Sequence, residues 1–209
     1  MASENGRYRG LLVDYGGVLT SDLFDSFRSF CALEGLEPDD LRRRFREDRE
    51  CRALLIGLET GKLEETHFER ELAQRIGVDP EDLIDRLFAH SGPDAEMIGA
   101  VRSAHEHGIK TGLISNSWGT RRYDREELGR LFDAVVISGE VGIRKPAPEI
   151  YELGAKEVGL SAEQCVFVDD LPFNLEPARE LGMAVVHHVD TTQTIAELER
   201  LLGVPLLSH

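Results

Sequence analysis

Five short apolar runs constrain the fold of this chain more than any other feature: GLLVD (10–14), KTGLIS (110–115), AVVIS (134–138), CVFVD (165–169) and MAVVHH (183–188). Runs of this length and composition read as strands buried in a parallel sheet. Between the last four lie stretches with helical spacing. In NLEPARELGM (174–183), Leu175, Ala178 and Leu181 share one face and Gly182 marks a stop. Strand, helix, strand in repetition predicts an α/β core with right-handed crossovers. Ser161 and Gln164 have the spacing of a capping box, but the strand at Cys165 follows so closely that a turn is expected there.

Residues 20–91 break this rhythm. They hold no convincing strand, but four helical patterns: DLFDSFRSFCALEG, PDDLRRRFREDRECRALLIG, LEETHFERELAQRIG and DPEDLIDRLFAH. In the last, Asp79 is expected as N-cap with Pro80 at the first helical position. SGPDAEM (91–97) reads as a return linker. The expected organisation is a core from 1–19 and 92–209, with a helical block at 20–91 inserted after the first strand. Arg42, Arg43, Arg44, Arg46 and Arg49 suggest an anion-binding surface, but Glu47, Asp48 and Glu50 interleave them, which favours a salt-laced exposed helix face.

The 209 residues can bury a proper core, and a net charge of −15 argues against a nucleic-acid partner, whose phosphates need clustered Lys and Arg. An acidic chain that binds a phosphorylated small molecule needs a local positive centre or a metal ion. Cys31, Cys51 and Cys165 fall in no CxxC spacing, so neither a disulfide framework nor a zinc site is expected and a reducing cytoplasm is the expected setting. MASENGRYRG has no apolar signal-like region, and no later stretch approaches membrane-spanning length. Oligomeric state is not legible.

Strands of a parallel sheet end on one rim, where open α/β folds place their chemistry. The first run ends in Asp14, followed by Tyr15 and the glycines Gly16 and Gly17; the second ends in Ser115-Asn116, and the fourth in Asp169-Asp170. After the third, SGEVGIRKPAPEIY places Lys145 before a rigid Pro-x-Pro turn. Taken singly, each has a plain reading: a turn aspartate, a turn hydroxyl, an N-cap pair, a solvated lysine. Taken together, the carboxylates would repel one another unless a cation sat among them. Oxygen donors of this kind suit Mg²⁺, with Lys145 and Ser115 left for the remaining phosphate oxygens. Trp118 and Tyr123 fit either a pocket wall or packing, and His187 and His188 lack metal-ligand spacing.

The ordered set VDYGGVL, GLISNS, RKPAPEIY and VDDLPFNLEPARELGM resembles the haloacid dehalogenase-like hydrolase superfamily, in the branch with a helical cap after the first strand. The resemblance spans the whole chain and implies a Rossmann-like core, with Asp14 as a nucleophile that becomes an aspartyl-phosphate. It further implies Mg²⁺ held by Asp14, the Gly16 carbonyl and Asp170 with Asp169 in support. Ser115, the Asn116 backbone and Lys145 would hold the phosphoryl group, with Asn174 in the outer shell. The implied activity is a Mg²⁺-dependent phosphatase of a small phosphorylated metabolite, a sugar phosphate among the options.

One position departs from the family pattern. Phosphatases of this family usually carry a second Asp, the acid/base, where this chain has Gly16. A leaving group that needs little protonation, a substitute donor such as Asp22 or Asp25 or an ordered water, or loss of efficient turnover would each account for it. Two rival functions follow: a 2-haloacid dehalogenase-like hydrolase, which lacks support because no arginine stands between Asp14 and Arg28, and a catalytically degenerate binding or regulatory protein.

Overall fold

The structure is a computed structural model describing residues 8–119 and 121–206. All five apolar runs become strands: β1 (Gly10–Val13), β2 (Lys110–Ser115), β3 (Ala134–Ile137), β4 (Cys165–Asp169) and β5 (Ala184–His187). They form one parallel sheet in the order β3-β2-β1-β4-β5. The chain builds outward from β1 on one side, then restarts at β4 on the other. The crevice at that reversal is where open parallel sheets bind ligands.

Helices cover both faces. Leu11 and Val13 point into the layer of α6 (Ala95–Glu106), α7 (Arg125–Leu131) and α11 (Thr191–Leu202). Leu12 points the other way, toward α9 (Pro148–Glu157) and α10 (Pro172–Glu180). This two-residue alternation is why β1 must be apolar throughout. The remaining core helix is the short α8 (Ser138–Val141). Ser161 and Gln164 do form a capping box, on a single 3₁₀ turn at Ala162–Gln164 that leads straight into β4.

The helical block comprises α1 (Leu23–Leu33), α2 (Asp40–Glu47), α3 (Arg49–Glu59), α4 (Glu65–Ile76) and α5 (Leu83–Leu87). Two sequence expectations fail here. The long pattern at 38–57 is two helices, because the Asp48 carboxylate caps a new start by accepting from the Glu50 and Cys51 N–H groups. Asp79 and Pro80 do not begin α5: Asp79 accepts from the Glu81 N–H in a local turn, and the helix starts after Asp82. Arg43 and Arg44 pair with Asp40, and Arg46 with Glu47, as expected of a salt-laced face.

The block has its own apolar cluster, including Phe27, Phe30, Leu41, Phe68, Leu72 and Leu87. Its two connections to the sheet run side by side. Ser21 N–H donates to the Gly92 carbonyl at 2.8 Å and Asp94 N–H to the Leu19 carbonyl at 2.9 Å, with a bridge between Thr20 and Pro93. Trp118, on the loop after β2, enters the block's cluster. Its ring centroid lies 5.3–5.7 Å from those of Phe27, Phe45, Phe68 and Phe88. Edge-on aromatic contacts of this kind add to the area they bury. Trp118→Ala is expected to lower the free energy of unfolding by about 3 kcal/mol in urea titrations followed by circular dichroism. A loss well under ~1 kcal/mol would show that the ring does not tie loop to block.

Candidate active site

The register carries the polar residues to one level. Val13 pairs with Leu113 on one side and Val168 on the other, and the Asp14 N–H donates to the Val168 carbonyl at 2.9 Å. Asp14 and Asp169 therefore leave adjacent strands together. Lys145 arrives from the loop between α8 and α9, which is held by Asn116: its side-chain oxygen accepts from the Lys145 N–H at 2.8 Å, and its amide donates to the Lys145 carbonyl at 3.0 Å. The Lys145 ammonium then lies 2.7 Å from both Asp14 Oδ1 and Asp169 Oδ2, with no exposed surface.

The two acids of the pair have different surroundings. Asp169 accepts from Lys145, from the Leu171 N–H at 2.9 Å and from the Asn174 amide at 2.9 and 3.1 Å. Asn174 is itself fixed by the Tyr151 hydroxyl, which donates to its carbonyl at 2.7 Å. Asp170 instead lies beside Gly17, whose φ is +74°; a β-carbon there would stand 2.6 Å from Asp170 Oδ2. One oxygen each of Asp14, Asp169 and Asp170 fall within 4.8 Å of one another, a group that could hold a metal ion. Hard oxygen donors of this number suit a small divalent cation.

Burial and charge act on this cluster together. Burial pushes Asp170 up to about 8, helped by the charges of Asp14 and Asp169. Burial likewise lifts Asp14 to about 6, against the pull of Lys145. Lys145 goes the other way: its two carboxylate partners outweigh burial and hold it fully protonated. The trio thus has one more carboxylate than its ammonium can satisfy.

A cavity of about 780 Å³ lies between the core and the helical block, lined by Gly16, Ser115 and Asn116 from the core and by Glu65 and Phe88 from the block, and a second of about 720 Å³ is lined by Gly17 and Asp170. Ser115 Oγ lies 2.9 Å from the Tyr123 hydroxyl, so Tyr123 both packs and orients. Trp118 likewise lines the cavity and packs. Of the substitute acids, Asp25 pairs with Arg28, and Asp22 spends its carboxylate capping α1 by accepting from the Phe24 N–H. His187 Nε2 lies 3.0 Å from the Asp170 carbonyl and His188 bonds Thr194, in keeping with structural roles.

A family model described as haloacid dehalogenase-like hydrolase matches residues 8–182. The chain belongs to this family. Bifunctional epoxide hydrolase 2 of Sus scrofa is 32% identical over 132 residues, 60% of this chain but 24% of that protein. The chain thus spans about a quarter of that relative's length. Phosphatase MT3486 of Mycobacterium tuberculosis (strain CDC 1551 / Oshkosh) is 31% identical over 189 residues, 83% of each chain. A HAD family enzyme of Bacteroides thetaiotaomicron, solved with magnesium and inorganic phosphate, shares the fold at a TM-score of 0.63 and 19% identity, over 86% of this chain and 93% of that one. Among the described residues of this hydrolase, no helix is long and apolar enough to cross a membrane.

One ion pair of the chain, a buried acid with a half-buried arginine, escapes a reading of the sequence. Glu59, at the end of α3, is 4% exposed and lies with its carboxylate 2.8 Å from Arg144 Nε. An acid at a helix end and an arginine before a lysine are each unremarkable in sequence; their meeting is a tertiary event.

The raised carboxylates make a pH prediction for chelator-treated protein. Folded Asp14 and Asp170 keep protons that the unfolded chain releases above about pH 4. Their contribution is therefore most favourable at low pH and is lost as pH rises toward about 8. Asp170→Asn is expected to shrink the drop in urea midpoint between about pH 5 and about pH 8. An equal drop in both proteins would refute this account.

Proposed function

We propose that this hydrolase is a Mg²⁺-dependent phosphatase of a small phosphorylated metabolite, working through an aspartyl-phosphate. The observation that carries the reading is the convergence of Asp14, Asp169, Asp170 and Lys145 at the end of the sheet. The names of its phosphatase relatives support it, as does the magnesium and phosphate bound by a protein of the same fold.

Asp14, the Gly16 carbonyl and Asp170 would hold the ion, with Asp169 in support. The excess of carboxylate over ammonium, with Asp170 admitted beside Gly17, fits such an ion. When bound, Mg²⁺ would offset the charge of the cluster and of the phosphoryl oxygens. Asp14 attacks phosphorus through one carboxylate oxygen, and the ester oxygen leaves with the bonding pair; water then cleaves the acyl-phosphate bond. Lys145 keeps Asp14 ionised for attack and, with Ser115 and the Asn116 backbone, neutralises charge on the transferring group. The helical block would act as a cap, sheltering the transfer from bulk water. Three converging carboxylates fit this chemistry better than displacement at a halogenated carbon, and Arg28, the first arginine after Asp14, pairs with Asp25 instead.

Position 16 shapes the substrate. A β-carbon there would stand 2.6 Å from Leu23 Cδ1, so the first helix of the block fills the acid/base post with an apolar side chain. A positioned acid typically contributes about 10²–10⁴-fold. This site therefore favours substrates whose leaving group needs less protonation, such as anomeric sugar phosphates or acyl phosphates.

The wild-type protein is expected to hydrolyse an aryl phosphate in a chelator-sensitive reaction, with Asp14→Asn lowering kcat by at least about 10³-fold. No turnover of aryl or sugar phosphates by Mg²⁺-loaded protein would overturn the reading. Across aryl phosphates, kcat/KM is expected to fall steeply as leaving-group pKa rises. A flat series would show that a proton donor is present after all.

A further inference from the structure

The helical block reaches the loop of Lys145 through a buried contact that the proposed chemistry does not use. At the end of α3 the Glu59 carboxylate meets Arg144, the residue immediately before Lys145. Ser138 Oγ donates to the Glu59 carbonyl and accepts from the Ser117 N–H at 2.9 Å. Ser117 Oγ in turn accepts from the Gly139 N–H at 3.1 Å. Gly61, with φ +67°, completes the fit: a β-carbon there would stand 2.3 Å from the Gly139 carbonyl oxygen. Glu59, Ser117 and Ser138 are 4%, 1% and 0% exposed. The end of α3, the loop after Ser115 and the start of α8 therefore meet at one buried point, with Arg144, whose side chain is 24% exposed, at its edge.

A charged pair is a costly way to fill such a place. Apolar residues of similar size often hold a buried interface as well or better. Glu59 Oε2 and Arg144 Nε make no aligned hydrogen bond, so Coulomb attraction in a water-poor contact carries the pairing. Lys145 and Asp14 lie close enough for their charges to act on Glu59, whose pKa burial pushes up to about 7.

We infer that Glu59 is a positioning residue: through Arg144 it fixes the main chain that presents the Lys145 ammonium to Asp14, so that docking of the helical block and placement of that ammonium are one event. The kinetic consequence rests on the phosphatase reading; the structural consequence does not. Misplacing a catalytic group by about 1 Å can cost on the order of 10²-fold.

The test compares wild type, Glu59→Gln and Glu59→Asp, all loaded with Mg²⁺, at a temperature where circular dichroism shows them folded. Amide hydrogen exchange at Arg144 and Lys145 is expected to accelerate in Glu59→Gln, because the Lys145 N–H loses its fixed partner on Asn116, while β4 amides stay as in wild type. On an aryl phosphate, kcat/KM of Glu59→Gln is expected to fall about 10²-fold, most of it in kcat, with Glu59→Asp retaining more activity. Folded Glu59→Gln with unchanged exchange at 144–145 and unchanged kcat/KM would overturn the inference. If Glu59→Gln does not fold, Glu59→Asp carries the same readouts at smaller size. If wild type turns over no phosphate ester, the phosphatase reading falls and the exchange comparison alone decides this one.

Discussion

A buried ammonium surrounded by apolar strands would ordinarily shed its proton, and the site depends on Lys145 not doing so. Two carboxylates at 2.7 Å keep it charged, and it in turn keeps Asp14 from being neutralised by its own burial. Neither charge is tenable without the other. That mutual dependence joins three segments far apart in sequence: the end of β1, the loop before α9 and the end of β4. Asp169 serves mainly as the anchor, since every direction around its carboxylate is taken by Lys145, Leu171 N–H and Asn174. Its neighbour Asp170 faces the glycine turn.

Glycine explains both sides of that turn. Gly17 adopts a backbone conformation that side chains resist, and its missing β-carbon gives room to Asp170. Gly16 gives its room to Leu23 instead. The same pair thus crowds charge toward one face of the loop and apolar surface toward the other.

Much of this is legible in the sequence. The strand runs show because a strand buried on both faces has no room for polar residues, so β1 and β4 stand out against an acidic chain. Asp14, Ser115, Asp169 and Lys145 could be brought together because parallel strands end on one rim. The helical block was harder. Asp48 breaks its longest pattern from within, since an aspartate suits an exposed helix face and an N-cap equally well. Trp118 was legible as pocket wall or packing and does both; Glu59 was beyond reach of local reasoning, because it joins the end of α3 to Arg144, far away in sequence.

The paired strips at 19–21 and 92–94 have a consequence for how such a protein can change. The inserted helices leave and re-enter the sheet at a single seam, so the sheet sees the same two chain ends whatever lies between them. Lengthening or exchanging the insert leaves the strand order where it is, and loop-closure cost rises only slowly with length. The seam thus makes the architecture modular within one constraint: the helices between its two strips can be remodelled as long as the end of α3 still meets Arg144.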